Sequence, residues 1–102
     1  MKYFVSATPG PMPPTPEQFD AAIDWLERKL GDGTLECAFG FLEGGGFGVS
    51  NVGSHREVLD LMADYPLFGQ VTWDVRPVLD FKEGIDTIRA KLVEAQAAIA
   101  GS

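Results

Sequence analysis

The chain has 102 residues, of which 45% are hydrophobic and 23% charged, and this composition predicts one globular domain over residues 1–102. Its net charge of −7 argues against nucleic-acid and anionic-membrane partners, because both attract clustered Lys and Arg. No apolar run is long enough to span a membrane, the first residues lack the pattern of a secretory leader, and one cysteine with one histidine gives no metal-ligand spacing. We therefore expect a cytoplasmic protein that uses neither a metal nor a cofactor.

The first part of the chain predicts a strand followed by a helix. Residues 2–8 alternate and favour β structure, which predicts the first strand. A proline-rich loop follows and ends in the capping-box pattern of Thr15 and Gln18, with proline at the first helical position. The helix is predicted to carry an apolar stripe made of Phe19, Ala22, Ile23, Leu26 and Leu30. Trp25 falls outside that stripe, so we interpret it as a contact-surface residue, a lid contact or neither.

A hairpin is predicted next, from the alternating segment TLECAFGFL, the turn EGGG and the returning segment FGVSNV. The glycines join two strands, so they do not form the phosphate-binding loop that requires a helix directly after them. Alternation predicts that the more apolar set of the first hairpin strand faces the helices: Leu35, Cys37, Phe39 and Phe41. The opposite set is then Glu36, Ala38, Gly40 and Leu42.

Helix, strand and helix complete the chain. Ser54 and Glu57 predict a second capped helix, which Pro66 ends. Residues 69–77 predict the fourth strand, with Val71, Trp73 and Val75 toward the helices and Thr72, Asp74 and Arg76 on the other side. Asp80 with Glu83 predicts the cap of a last helix. The apolar side of that helix is formed by Phe81, Ile85, Ile88, Leu92 and Ile99.

The order β-α-β-β-α-β plus a C-terminal helix predicts an α+β, ferredoxin-like fold with the strand order four, one, three, two. Both crossover helices then cover one face of the sheet. The other face is predicted to be too apolar for solvent, since it carries Phe4 or Tyr3 with Leu42 and Val52. We expect a second copy of the chain to cover it in a homodimer.

The segment YPLFGQVTWDVRP, preceded by the capped helix SHREVLDLMADY, resembles the muconolactone isomerase-like family. The segment DGTLECAFGF is also similar to that family's second strand, and the resemblance extends from about Asp32 to Pro77. It implies a dimeric α+β barrel, in a dimer or a higher assembly. It also implies a cofactor-free double-bond shift in a small unsaturated cyclic metabolite.

Other activities occur on related dimeric barrels, so two alternatives stay open. One is a cofactor-free monooxygenase or cyclase of natural-product biosynthesis. The other is a non-catalytic dimer that binds a small molecule. The chain departs from the isomerases by its proline-rich first loop, its GGGFG segment and its single histidine.

A proton-shift isomerase needs side chains that take and return a proton, and Glu36, His55 and Asp74 are the candidates. Each also has a structural interpretation. His55 suits a solvated first helical turn, and Glu36 suits an ion pair with Arg76 of a second copy. For the substrate, Phe39, Phe41, Phe68 and Trp73 are predicted to line an apolar site, although aromatic residues at these positions are more typical of a core.

Overall fold

The computed structural model describes residues 1–101 and contains one four-stranded antiparallel sheet and three helices. The elements are β1 (Lys2–Pro9), α1 (Pro16–Gly31), β2 (Leu35–Gly40), β3 (Gly46–Asn51), α2 (His55–Asp64), β4 (Val71–Val78) and α3 (Phe81–Ala100). The strand order is β2-β3-β1-β4. The predicted α+β, ferredoxin-like fold and its strand order are therefore confirmed.

The helix starts follow from local side-chain chemistry. The Thr15 hydroxyl accepts the Gln18 N–H at 3.2 Å, and the Gln18 side chain accepts the Thr15 N–H at 2.9 Å, so the predicted capping box of α1 is present. Ser54 caps α2 in the same way, accepting the Glu57 N–H at 3.2 Å. Asp80 occupies the predicted N-cap position of α3, but its side chain does not cap the helix, and the carboxylate accepts a hydrogen bond from Lys2 Nζ at 2.9 Å instead.

One boundary also differs from the sequence prediction. The fourth strand was expected over residues 69–77, but β4 begins at Val71 because Phe68–Gln70 forms a 3-10 turn. The Gln70 N–H bonds to the Leu67 carbonyl at 2.9 Å in that turn, and the Gln70 carbonyl accepts the Gly10 N–H. This turn ties the start of β4 to the end of β1.

The core lies between the sheet and the helices α1 and α2. Its buried cluster is formed by Trp25, Leu35 and Leu61, with Leu26 and Tyr65 packed against it. The interpretation of Trp25 as a surface residue is wrong, since only 5% of the side chain is exposed. Two members of the predicted α1 stripe, Phe19 and Leu30, are not core residues, because they are 52% and 41% exposed.

A β-bulge in β2 changes which side chains face the helices. Leu35 pairs with Ser50 on β3, but the next pair is Cys37 with Val49, so the register shifts by one residue at Glu36. Because side chains alternate along a strand, everything after the bulge turns to the opposite face. The prediction that Cys37, Phe39 and Phe41 face the helices is therefore wrong. Leu35, Ala38 and Gly40 face the helices, while Cys37 and Phe39 lie on the other face.

That other side, called here the outer face, carries a group of stacked aromatic rings. Phe47 lies at the centre, with ring centroids 5.3 Å from Phe4, 5.5 Å from Phe39 and 5.7 Å from Phe41. Within the described chain α3 does not cover this group, and Phe39 remains 61% exposed. The apolar character predicted for the outer face is thus present, with Phe47, Phe39 and Phe41 in place of Leu42 and Val52 as its main residues.

The helix α3 projects from the rest of the molecule. The structure extends over 66 × 29 × 23 Å and has a radius of gyration of 18.5 Å, whereas a compact domain of this length has about 13 Å. No residue of α3 is buried within the described chain. None of the helices in residues 1–101 is both long and apolar enough to cross a bilayer.

Candidate functional site

A cavity of about 710 Å³ lies between the helix-facing side of the sheet and the helices α1 and α2. Its floor consists of small residues, Val5 and Ala7 on β1, Ala38 on β2 and Gly48 on β3. Small side chains at adjacent sheet positions leave space that larger ones would fill. Cavities that bind small molecules have volumes of about 300–1,000 Å³, so this one is of the appropriate size.

The helix α1 forms the wall of the cavity because only one side of the helix packs against the sheet. Ala22 and Trp25 are buried against the sheet, 1% and 5% exposed. Phe19 and Ile23 lie farther around the helix and line the cavity with Leu26. The opening is flanked by the proline-rich loop, which contributes Met12, Pro13 and Pro14.

Few polar groups reach this apolar space. The indole N–H groups of the two lining tryptophans are already bonded, Trp25 to Asp64 at 2.9 Å and Trp73 to the Phe68 carbonyl at 3.0 Å. The remaining polar side chains of the lining belong to Glu27, Tyr65 and Gln70, and Glu27 is the charged one among the described lining residues. The site therefore offers one carboxylate, one phenol and one carboxamide to a ligand.

Tyr65 is the best fixed of these three groups. Its ring packs edge-on against Trp25 and Trp73, with centroids 5.1 and 5.5 Å away. Burial raises the pKa of the Tyr65 phenol above its usual value of 10.0 because the phenolate is poorly solvated there. The hydroxyl therefore holds its proton at neutral pH and can donate a hydrogen bond to a ligand oxygen.

The three predicted acid–base residues lie outside the cavity lining, in three separate pairings. Glu36 forms an ion pair with Lys2 Nζ at 3.2 Å, and Asp74 pairs with Arg76 at 3.1 Å on the outer face. His55, exposed at the first turn of α2, forms a hydrogen bond through Nδ1 with the hydroxyl of buried Tyr3. The structure brings none of the three together with another, and their catalytic role stays a prediction.

The predicted substrate-binding aromatics divide into two groups. Trp73 and Phe39 are among the residues that line the cavity, although the Phe39 ring stacks on Phe47 at the outer face. Phe41 and Phe68 are not in the lining. Phe68 instead supports the site indirectly, because its carbonyl accepts the Trp73 N–H and its ring lies 6.0 Å from the Trp73 ring.

Sequence reasoning missed the polar groups of the lining. Neither Tyr65 nor Glu27 was predicted to be a site residue. The signal for Glu27 was its position directly after Leu26, at the edge of the α1 stripe. No sequence pattern indicated Gln70 as a site residue, since its position depends on the 3-10 turn before β4.

Comparison with known proteins establishes the class of fold. The chain resembles 5-chloro-2-hydroxyhydroquinone dehydrochlorinase from Burkholderia phenoliruptrix, solved in complex with 2,5-dihydroxybenzoquinone, with a TM-score of 0.65 and 15% identity over 81% of this chain and 98% of that one. It also resembles muconolactone isomerase, with a TM-score of 0.67 and 19% identity over 76% of this chain and 88% of that one. No family model matches the chain, and no curated protein does.

These similarities show that the chain has the muconolactone isomerase-like fold. Both structural neighbours are enzymes that act on small molecules, according to their names. At such low identity the likeness concerns the fold, and chemistry has to be argued from this chain's own cavity.

Proposed function

We propose that this protein is a cofactor-independent enzyme that shifts a double bond in a small unsaturated cyclic metabolite by intramolecular proton transfer. The observation that carries the proposal is the cavity between the sheet, α1 and α2. It is large enough for a cyclic ligand, and its apolar lining contains a carboxylate and a protonated phenol. The shared fold with an isomerase and a dehydrochlorinase supports the same class of activity.

The proposed chemistry uses the two kinds of group that the cavity supplies. A carboxylate takes a proton from the carbon next to the substrate carbonyl, and the electrons move into an enolate. The same proton then returns to the far end of the conjugated system, so the double bond moves and no atom is gained or lost. In this proposal Glu27 is the carboxylate, and the Tyr65 hydroxyl donates a hydrogen bond to the carbonyl oxygen that becomes negative.

In a second version of the same proposal, the acid–base residues are the ones predicted from the sequence, Glu36, His55 and Asp74. Glu36 and Asp74 could take part only if another copy of the chain covered the outer face and removed water from them. In the single chain both carboxylates are paired at the surface, Glu36 with Lys2 and Asp74 with Arg76. His55 would need to release the Tyr3 hydroxyl to exchange a proton with a substrate.

We further propose that the protein is a homodimer formed through the outer face. The support is the group of stacked rings around Phe47, which forms an apolar patch on a sheet that α3 leaves uncovered. Pairing two such faces would bury the rings of both copies. This is also the arrangement that the family resemblance implies.

The experiment that tests the proposed reaction is turnover of an unsaturated five-membered lactone in deuterium oxide. An isomerase of this type moves the double bond, and solvent deuterium enters at the carbon that gains hydrogen whenever the enzyme-bound proton exchanges. Glu27→Gln should lower kcat by at least about a hundredfold, because it removes the proton acceptor without changing the side-chain shape. Glu17→Gln is the matched control, since Glu17 lies on the same helix but does not line the cavity.

Comparing this variant with Glu36→Gln, His55→Ala and Asp74→Asn decides between the two versions of the proposal. Loss of turnover in Glu27→Gln alone assigns the reaction to the cavity. Loss in one of the other three, with Glu27→Gln unaffected, assigns it to a site completed by the dimer. Absence of isomerisation for every lactone that binds would reject the reaction.

A second candidate function is non-catalytic binding of a small apolar molecule. The observation that favours it is the predominance of apolar groups in the lining, where Glu27 is exposed to solvent at the edge. Calorimetry distinguishes the two functions. A binding protein would bind a cyclic ligand and leave it chemically unchanged. Tight binding without any chemical change would support this second candidate.

A further inference from the structure

The polar side chains of the cavity lining differ in whether the protein itself satisfies them. The indole N–H groups of the two lining tryptophans are already bonded within the chain. Within residues 1–101, the side chains of Glu27 and Gln70 form no hydrogen bond or ion pair with another residue, although both line the cavity. Polar groups that face an apolar space without a partner are available to a ligand. The lining therefore offers two unpaired recognition groups besides the Tyr65 hydroxyl.

The backbone of Gln70 is held in place beside the proline-rich loop. Its N–H donates to the Leu67 carbonyl at 2.9 Å, and its carbonyl accepts the Gly10 N–H at 3.0 Å. The contact with Gly10 is tight, because a Cβ added there would lie 2.7 Å from the Gln70 carbonyl oxygen. The first atoms of the Gln70 side chain are thus fixed between the 3-10 turn and the start of the loop. The carboxamide at its end supplies N–H donors and a carbonyl acceptor without carrying a charge.

The charge of the lining is negative. Glu27 is the charged side chain among the described residues that line the cavity, and no Lys, Arg or His is one of them. A ligand carboxylate in this space would lose water without gaining a cation, and the Glu27 carboxylate would repel it. An uncharged ligand incurs neither cost. The lining thus favours uncharged ligands over anions.

The two cations of α1 are engaged outside the lining. Lys29 Nζ lies 5.8 Å from the centroid of the Trp25 ring and 4.0 Å from Oδ2 of Asp64. Lys29 and Arg28 also act on the carboxylate of Asp32, which follows the helix at its C-terminal end. Neither cation is therefore placed to neutralise a ligand inside the cavity.

The other cations of the described chain lie outside the lining as well. Three of them form ion pairs on the surface of the protein: Lys2, Arg56 and Arg76. The remaining three belong to the projecting helix α3, which carries as many acidic as basic side chains. That helix therefore has no net charge with which to attract an anion.

We infer that the ligand of this cavity is an uncharged ring compound with at least two oxygen groups, and that Gln70 selects it. One oxygen is the carbonyl that the Tyr65 hydroxyl bonds in the proposed reaction. The second, a carbonyl, ether or hydroxyl oxygen, bonds to the Gln70 carboxamide, which can donate or accept. The inference names a substrate class and rests on the proposed function for the carbonyl, whereas the preference for an uncharged ligand depends on the lining alone.

Paired ligands test the charge preference by calorimetry at pH 7. Each pair consists of a carboxylic acid, which is ionised at that pH, and its primary amide, which has nearly the same shape without the charge. The rings are a five-membered unsaturated lactone, a cyclohexenone and a naphthoquinone, so the result does not depend on one ring size. We expect the wild-type protein to bind the amide at least about tenfold more tightly than the acid.

Two substitutions in the lining should change that preference in the same direction. Glu27→Gln removes the repelling carboxylate and Gln70→Lys supplies a cation, so each should raise the affinity for the acid relative to the amide at least about fivefold. The matched controls make the same change of charge outside the lining, Glu17→Gln on α1 and Leu59→Lys on α2. Both controls should keep the preference of the wild type. Circular dichroism of each variant verifies that the fold is intact.

A third variant tests the carboxamide itself. Gln70→Met keeps the length of the side chain and removes its hydrogen-bonding groups, so the affinity for the amides should fall about fivefold or more. Gln96→Met is the control, since Gln96 is exposed on α3 and does not line the cavity. An unchanged affinity in Gln70→Met would remove Gln70 from the recognition of the ligand.

Three outcomes would overturn the preference for an uncharged ligand. The first is equal or tighter binding of the acids by the wild-type protein, and the second is binding of none of the amides. The third is a preference that both Glu27→Gln and Gln70→Lys leave as it is. None of these readouts requires turnover, so amides that bind without isomerising would reject the proposed reaction and support this inference. Tight binding and turnover of a lactone carboxylate would do the opposite.

Discussion

Trp25 on α1 donates its indole N–H to Oδ2 of Asp64 on α2, over 2.9 Å. The donor is buried, while the Asp64 carboxylate is 66% exposed and also lies 4.0 Å from Lys29 Nζ. The bond connects the two helices that frame the cavity, beside the packing of Trp25 on Tyr65. It thereby fixes the orientation of the largest buried side chain in the wall of the site.

Removing this acceptor should destabilise the protein, because the donor that it leaves behind is buried. Asp64→Ala leaves a buried N–H without a partner, so we expect a loss of about 1–3 kcal/mol in the free energy of unfolding. Asp60→Ala on the same helix is the control and should change it by less than about 0.5 kcal/mol, because Asp60 pairs with Arg56 at an exposed position. Urea denaturation measures both. An equal effect of the two substitutions would show that the Trp25 bond does not stabilise the fold.

How far the sequence predicts this structure is clearest in β2 and the elements around it. The Thr15 and Ser54 caps, the glycine turn and the strand order are all determined locally or by general handedness rules, and they were predicted correctly. The sheet face on which Phe39 lies was predicted wrongly, because a bulge at Glu36 reverses the alternation. That bulge depends on pairing with β3. The polar groups of the cavity were missed for a similar reason, since Tyr65 and Glu27 line the same cavity only once α1 and α2 are placed.

The glycine turn of the hairpin should tolerate no side chain at Gly45. Its φ is +73°, and a Cβ there would lie 2.3 Å from the Ala7 carbonyl oxygen. Gly45→Ala therefore combines a strained backbone with a steric clash, and we expect a loss of about 3 kcal/mol or more. Gly33→Ala is the matched control, since φ is +83° but nothing lies within 4 Å, and should cost about 1–2 kcal/mol. Thermal or urea unfolding that ranks the two in reverse would contradict the clash.

The outer-face dimer depends on the rings around Phe47. Phe47→Asp places a carboxylate at the centre of the stack, and in the proposed dimer that charge would lose its water without gaining a partner. We expect the outer-face contact to be lost in sedimentation velocity at micromolar concentration. Leu59→Asp, which introduces the same charge at an exposed position on α2, should leave the association unchanged. Equal sedimentation of wild type and Phe47→Asp would reject this interface.

Alkaline pH should report the environment of Tyr65. Since its folded-state pKa is raised above 10.0, the group stabilises the fold fully below that pH, and the contribution is lost as pH rises through the folded-state pKa. Tyr65→Phe should therefore flatten the stability profile above pH 10. Lys2 titrates in the same range because its bonds to Asp80 and Glu36 raise its pKa, so both proteins are compared in a Lys2→Met background. Tyrosinate absorbance follows the ionisation, and an unchanged profile in Tyr65→Phe would contradict the assignment.

Filling the cavity from its floor should abolish ligand binding without unfolding the protein. Ala38 faces the helices on β2 and lines the cavity, so the larger side chain of Ala38→Leu would occupy the space of a cyclic ligand. Because the cavity has room for the larger side chain, stability should change by less than about 1 kcal/mol. The affinity for an unsaturated lactone, measured by calorimetry, should fall at least tenfold. Cys37→Leu, one residue away on the outer face, is the matched control and should leave the affinity unchanged, whereas equal binding by Ala38→Leu and wild type would place the ligand elsewhere.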